Sequence, residues 1–171
     1  MSSINIEKIS ITKLNTDAIV NAANEYLWEG GGVCGAIFSA AGAEEMTKDC
    51  EAIGFCKTGN AVITPGFNLK AKFVIHAVGP IWRGGEDGEP ELLYSAYMSS
   101  LRLAMENNLH SIGFPLISAG IYGYPSEMAW KEALRACDDF IRENQSYAID
   151  IVFAVLEDRI AEEGKQCLTN K

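Results

Sequence analysis

Two glycine-rich stretches carry the residues of this 171-residue chain whose types and spacing suit ligand chemistry. The first runs Asn21-Ala22-Ala23-Asn24 and then Gly30-Gly31-Gly32-Val33-Cys34-Gly35; the second runs Ser118-Ala119-Gly120-Ile121-Tyr122-Gly123-Tyr124-Pro125. Three consecutive glycines let backbone amides approach an anion with no Cβ in the way. A helix starting near Val33 would add its unpaired amides and the positive end of its dipole. From Ser111 to Tyr124 no side chain is charged, so the second stretch can hold a diphosphate only through amides and hydroxyls. Either stretch alone is explained as well by glycines serving tight turns; two together favour a phosphate cradle.

The first stretch also fits the G-x-G-x-x-G pattern of dinucleotide-binding folds. That pattern should follow its strand directly, whereas Glu25 to Glu29 intervene here. The acidic residue expected about 20 positions later at a strand end is missing, because Asp49 and Glu51 fall in a helical segment. A Walker loop fails for want of Gly-Lys-Ser/Thr. Cys34 lies at the predicted helix start, where a thiolate is stabilised, yet no histidine is near it in sequence and a small buried residue explains it more simply. Of the two histidines, His76 is inside a buried strand and reads as a core residue, and His110 lies in a surface turn. Trp28 and Trp82 suit an aromatic wall or ordinary packing equally.

The elements that must position these loops follow from the hydrophobic pattern. Strands are expected over Ile4 to Ile9, Ala18 to Ala22, Asn60 to Thr64, Lys72 to Val78, Ser111 to Ile117 and Ala148 to Val155. Helices are expected over Val33 to Ala41, Ala43 to Ile53 with Gly42 as the break, a segment carrying Leu93, Tyr97, Leu101 and Ala104, one opening at Pro125-Ser126, and Glu157 to Leu168. Alternating strands and helices, with several strands apolar throughout, predict a three-layer α/β/α fold around a mixed, mostly parallel sheet. Ligands in such sheets bind beyond the carboxyl ends of the strands, where both glycine-rich stretches fall.

The chain is expected to form one domain over residues 1–171, a length that buries about 70 % of the unfolded chain's surface. A net charge of −9 argues against a nucleic-acid partner, which requires clustered Lys and Arg. Five widely spaced cysteines without Cys-x-x-Cys give no zinc-ligand spacing and read as reduced thiols. With no apolar run of signal-peptide or membrane-spanning length, the expected location is the cytoplasm, with no membrane partner.

Asp17 to Asn24, Gly30-Gly31-Gly32-Val33, Val74-Ile75-His76-Ala77-Val78-Gly79-Pro80 and Phe114 to Pro125 occur in an order that resembles the macrodomain family. Within that family the chain is most similar to bacterial O-acetyl-ADP-ribose deacetylases and mono-ADP-ribosyl hydrolases. The resemblance implies an ADP-ribose pocket lined by Ser10, Ile11, Asn24, Gly31, Gly32, Val33, Cys34, Ser118, Ala119, Gly120, Ile121 and Tyr122. It needs neither metal nor cofactor, and the partners it implies are ADP-ribose, its derivatives and ADP-ribosylated proteins. Asn24 and Tyr122 would meet the distal ribose, although Asn24 also suits a turn bonding its own backbone and Tyr122 a loop anchor.

Two departures bear on activity. Members usually carry Gly-Asp-Ile-Thr, whose aspartate receives the adenine amino group, where this chain has Ile9-Ser10-Ile11-Thr12. Ser10 is a shorter, neutral acceptor, which weakens that contact by about 1 kcal/mol. Deacetylase-type members carry Asp and His at the positions held here by Cys34 and Phe38. Viral macrodomains that resemble this chain remove ADP-ribose with a small apolar residue in place of the Asp. The resemblance therefore implies hydrolysis of ADP-ribose esters, with Asn24 and Cys34 as candidate catalytic residues, or binding without turnover.

Overall fold

The computed structural model describes residues 1–170. Six strands form one sheet: β1 (Ser3–Lys8), β2 (Ala18–Ala23), β3 (Ala61–Pro65), β4 (Phe73–Val78), β5 (Ser111–Phe114) and β6 (Asp150–Val155), in the order β1-β6-β5-β2-β4-β3. All neighbours run parallel except edge strand β3, which is antiparallel to β4. The helices are α1 (Gly32–Ala41), α2 (Ala43–Ile53), α3 (Glu89–Glu106), α4 (Ser126–Glu143) and α5 (Asp158–Thr169), with a short 3-10 turn over Ile11–Lys13. The mixed three-layer fold expected from the hydrophobic pattern is present.

Alternation along the strands feeds two cores. Ile19, Ala23, Val74 and Val78 pack with Ile37, Phe38, Met46 and Cys50 of α1 and α2. Ala18, Val20, Ile75, Ala77, Ile112, Phe114 and Phe153 pack on the other face with Leu93, Tyr97, Leu101, Trp130, Phe140 and Ala161 of α3, α4 and α5. Both faces are covered, which is why β2 and β4 read as near-continuous apolar runs.

β6 starts at Asp150 rather than Ala148 and β4 at Phe73 rather than Lys72, and β5 falls furthest short of its pattern. β5 stops at Phe114 rather than Ile117, because Pro115 has no amide to give a neighbouring strand. The Tyr97 hydroxyl takes over the pairing. It donates to Pro115 O (3.0 Å) and accepts the Ile117 amide (2.8 Å), steering the chain out of the sheet and into the second glycine-rich loop. Adjacent strands β2 and β5 then lead to opposite halves of the sheet, β2 through α1 and α2 toward β3, and β5 through α4 toward β6. Their diverging connections open a crevice at the carboxyl edge.

Candidate functional site

The connection from β2 to α1 is tied down on its inner side. Asn24 donates from Nδ2 to Trp28 O (2.9 Å) and accepts the Trp28 amide at Oδ1 (3.1 Å). Glu25 accepts both the amide and the hydroxyl of Thr58 (3.0 Å each), and its carbonyl accepts the Cys56 amide (2.8 Å). Leu27, at φ 60°, plugs into the core. The loop then folds back over the first turn of α1 so closely that a Cβ at Gly35 would lie 2.7 Å from Gly30 O. No side chain caps α1, so its first-turn amides, which have no acceptor inside the helix, are left for a ligand.

Cys34 belongs to this frame. Its buried Sγ accepts the Gly30 amide (3.4 Å) and Asn21 Nδ2–H (3.6 Å), and its thiol points to Trp28 O (3.7 Å). Asn21 continues inward as a polar ladder beneath α1 and α2. Asn21 Nδ2–H donates to His76 Nδ1 (3.0 Å), which puts the ring proton on Nε2, given to Thr64 Oγ1 (3.0 Å). The Thr64 hydroxyl has Pro65 O at 3.1 Å. His76 is fully buried, and burial lowers its pKa to about 4, so the ring is neutral near pH 7. It is a core histidine with both nitrogens occupied.

The opposite wall is the loop from β5 to α4. Ser118 sits at φ 68°, with its carbonyl accepting the Tyr124 amide (2.9 Å) and its buried hydroxyl unpartnered. Gly79 lies directly beneath: a Cβ there would stand 2.3 Å from Ser118 Oγ and 2.5 Å from Ile117 Cγ2. Tyr122 O accepts the Trp82 amide (2.9 Å), and burial, helped by the charge of Glu25, raises the Tyr122 pKa. Ile121 reaches across, with Cδ1 4.0 Å from where a Cβ of Gly31 would be.

The two loops enclose a cleft of about 840 Å³, the size of a small-molecule or cofactor site. Ser10, Ile11, Asn24, Gly31, Gly32, Val33, Cys34, Ser118, Ala119, Gly120, Ile121 and Tyr122 all line it. Phe38 is buried under α1 and does not. Trp28 stands exposed outside the cleft, and Trp82 packs on Tyr124 with centroids 4.6 Å apart.

Sequence reasoning passed over the third wall, Ala154, Val155, Leu156, Glu157, Arg159 and Ile160 at the end of β6 and start of α5. The available signal was general: a strand that leads into a helix in a parallel sheet has its connection at the carboxyl edge, where ligands bind. Arg159 and Glu157 are the charged residues of the lining. Both are well exposed at the rim, where Arg159 pairs with Glu163 (3.2 Å). Among the described residues no group of three His, Cys, Asp or Glu side chains is placed to hold a metal, and no helix is long and apolar enough to cross a membrane.

Residues 20–133 match the family model described as Macro domain. The chain belongs to the macrodomain family. Among curated relatives, this macrodomain is 53 % identical over 144 residues to an O-acetyl-ADP-ribose deacetylase of Salmonella gallinarum, covering 82 % of the chain and 80 % of the relative. Its fold matches the Oceanobacillus iheyensis macrodomain solved with ADP, with TM-score 0.91 and 39 % identity, over 96 % of this macrodomain and 89 % of that chain. A Trypanosoma brucei macrodomain in complex with ADP-ribose matches with TM-score 0.89 and 37 % identity, over 96 % and 68 %.

Proposed function

We propose that this macrodomain binds ADP-ribose, with adenine toward Ser10 and Ile11, the diphosphate between the α1 amides and the Ser118 to Tyr122 loop, and the distal ribose at Asn24 and Tyr122. The observation that carries this reading is the pairing of two glycine-rich loops over an inner lining without charged side chains, one of them the uncapped start of a helix. Such a cradle suits a compact diphosphate. The ADP and ADP-ribose bound to similar macrodomains support the same ligand class.

Hydrolysis of an ester on the distal ribose, of O-acetyl-ADP-ribose or of mono-ADP-ribose on acidic side chains, is the second reading. The high identity to a relative named O-acetyl-ADP-ribose deacetylase favours it. The geometry favours binding: Asn24 is held in place by Trp28 through one N–H and its oxygen, leaving the second N–H for the distal ribose, and Cys34 faces Asn21, Gly30 and Trp28 O. For turnover, Asn24 would exchange its Trp28 contact for a water aimed at the ester carbon, with the loop amides stabilising the developing oxyanion.

The test is a calorimetric titration with ADP-ribose, followed by O-acetyl-ADP-ribose with product detection. Tight binding of both without acetate release makes the protein a reader; acetate release makes it a hydrolase; absence of binding overturns the proposal.

A further inference from the structure

Just outside the Asn24 side of the cleft, a group of aromatic side chains stands uncovered. Tyr26 is 55 % exposed, Trp28 65 % and Phe55 51 %. The Tyr26 and Trp28 rings stack at 5.0 Å, and Phe55 meets Tyr26 edge-on at 5.6 Å. The backbone beneath them is fixed by the Asn24–Trp28 clasp, by buried Leu27 and by the bonds from Glu25 to Thr58 and Cys56. Rings presented on a fixed frame, with apolar area left in water, mark an interaction surface.

The charges indicate what would cover it. Along the chain the rings have Glu25 and Glu29 as immediate neighbours and Glu51 four residues before Phe55, against one lysine, Lys57, on a chain of net charge −9. Glu25 is held by Thr58, which leaves Glu29 and Glu51 without a bond to that frame. Open faces of Trp and Tyr beside carboxylates attract a guanidinium or ammonium, while the phosphates of a nucleic acid would be repelled. A second copy of the chain would bring like charge to like charge.

We infer that this aromatic cluster grips the polypeptide to which ADP-ribose is attached, taking an Arg or Lys side chain near the modified residue. This rests on the proposed placement of the distal ribose at Asn24. Asn24 itself holds the backbone of Trp28, so a chain leaving that end starts out beside the rings. The substrate class is then an ADP-ribosylated protein with basic surroundings rather than a small acetyl ester.

The test uses two peptides carrying ADP-ribose through a hydrolysis-resistant linkage, one with Arg and one with Glu two and three positions from the modified residue. Each is titrated beside free ADP-ribose into the wild-type protein and a Tyr26→Ser/Trp28→Ser variant, whose Asn24 clasp uses only the backbone of residue 28. The Arg peptide is expected to bind wild type about tenfold more tightly than free ADP-ribose, and the Glu peptide no more tightly. In the double variant the Arg peptide falls to the affinity of free ADP-ribose, which itself is kept. Glu29→Lys, which leaves every ring in place, lowers the Arg preference roughly twofold and serves should the double variant not fold. Equal binding of the two peptides by wild type, or an Arg preference that survives in the double variant, overturns the inference. So does a wild type that sediments as a dimer where the variant is a monomer, which would assign the cluster to a second copy. Failure of free ADP-ribose to bind is a separate arm and overturns the reading of the cleft instead.

Discussion

Asn24 holds Trp28 by both ends of its amide, donating to the carbonyl at 2.9 Å and accepting the amide at 3.1 Å. Five residues of chain, Asn24 to Trp28, are closed into a ring by one side chain, which fixes how the β2–α1 loop approaches the cleft. Asn24→Ala should therefore lower ADP-ribose affinity about tenfold by loosening the loop. Calorimetry reads the affinity, and faster hydrogen exchange at the Trp28 amide separates this cause from loss of a direct ligand contact.

Gly79→Ala tests the floor of the second loop. The added methyl would meet Ser118 Oγ and Ile117 Cγ2 well inside contact distance, and Ser118 is already held at positive φ. The expected cost is about 1–3 kcal/mol of stability in denaturant titration, with weaker ADP-ribose binding as Ser118 shifts.

Cys34→Asp tests whether the cleft lacks only a carboxylate. In the buried site the new side chain would find the Gly30 amide and Asn21 Nδ2–H that the sulfur now faces. The expected outcome is acetate release from O-acetyl-ADP-ribose rising about a hundredfold, the scale of a positioned base. Cys34→Ser is expected to leave turnover within a few-fold. A loss of activity on Cys34→Ser would instead identify the thiol as a participant.

Acid stability should show two windows. His76 has its pKa lowered by burial from the ordinary 6.5 to about 4. Between those values the unfolded chain binds the proton and the folded chain does not, so stability falls as pH drops through this window. The loss amounts to about 3 kcal/mol in full. At Glu89, burial opposes ionisation, but the amides of Gly85, Arg83 and Asp87 outweigh it and hold the carboxyl at about 2 rather than 4.5. Its contribution is present above pH 4.5 and is lost between 4.5 and 2. Chemical denaturation across pH 2–7, repeated on His76→Gln, should remove the upper slope and leave the lower one.

Periodicity carried most of the fold, because strands covered on both faces and helices with one apolar face leave unmistakable patterns. What it missed depended on partners distant in sequence. The end of β5 is set by the Tyr97 hydroxyl reaching from α3 to Pro115 and Ile117. Both glycine-rich walls were legible because glycine is chosen for backbone approach. The β6–α5 wall was not, because Ala154 to Ile160 contribute by location and carry no glycine run, and the charges of Glu157 and Arg159 read as an ordinary helix start. For Asn24, the sequence left a ligand role and a turn role open, and the structure adds the turn.

The uncharged amide walls of the two glycine-rich loops have a counterpart in the charge of the whole molecule. A body of net charge −9 repels long polyanions over roughly a Debye length, about 8 Å at physiological salt, while amide dipoles act only at contact. On the proposed reading, such a cleft would act as an ion filter by range, disfavouring long polyanions at a distance while accepting one diphosphate that enters fully. With few mobile cations to displace, its affinity should change little between 50 and 500 mM salt, roughly the opposite of a lysine-lined phosphate site.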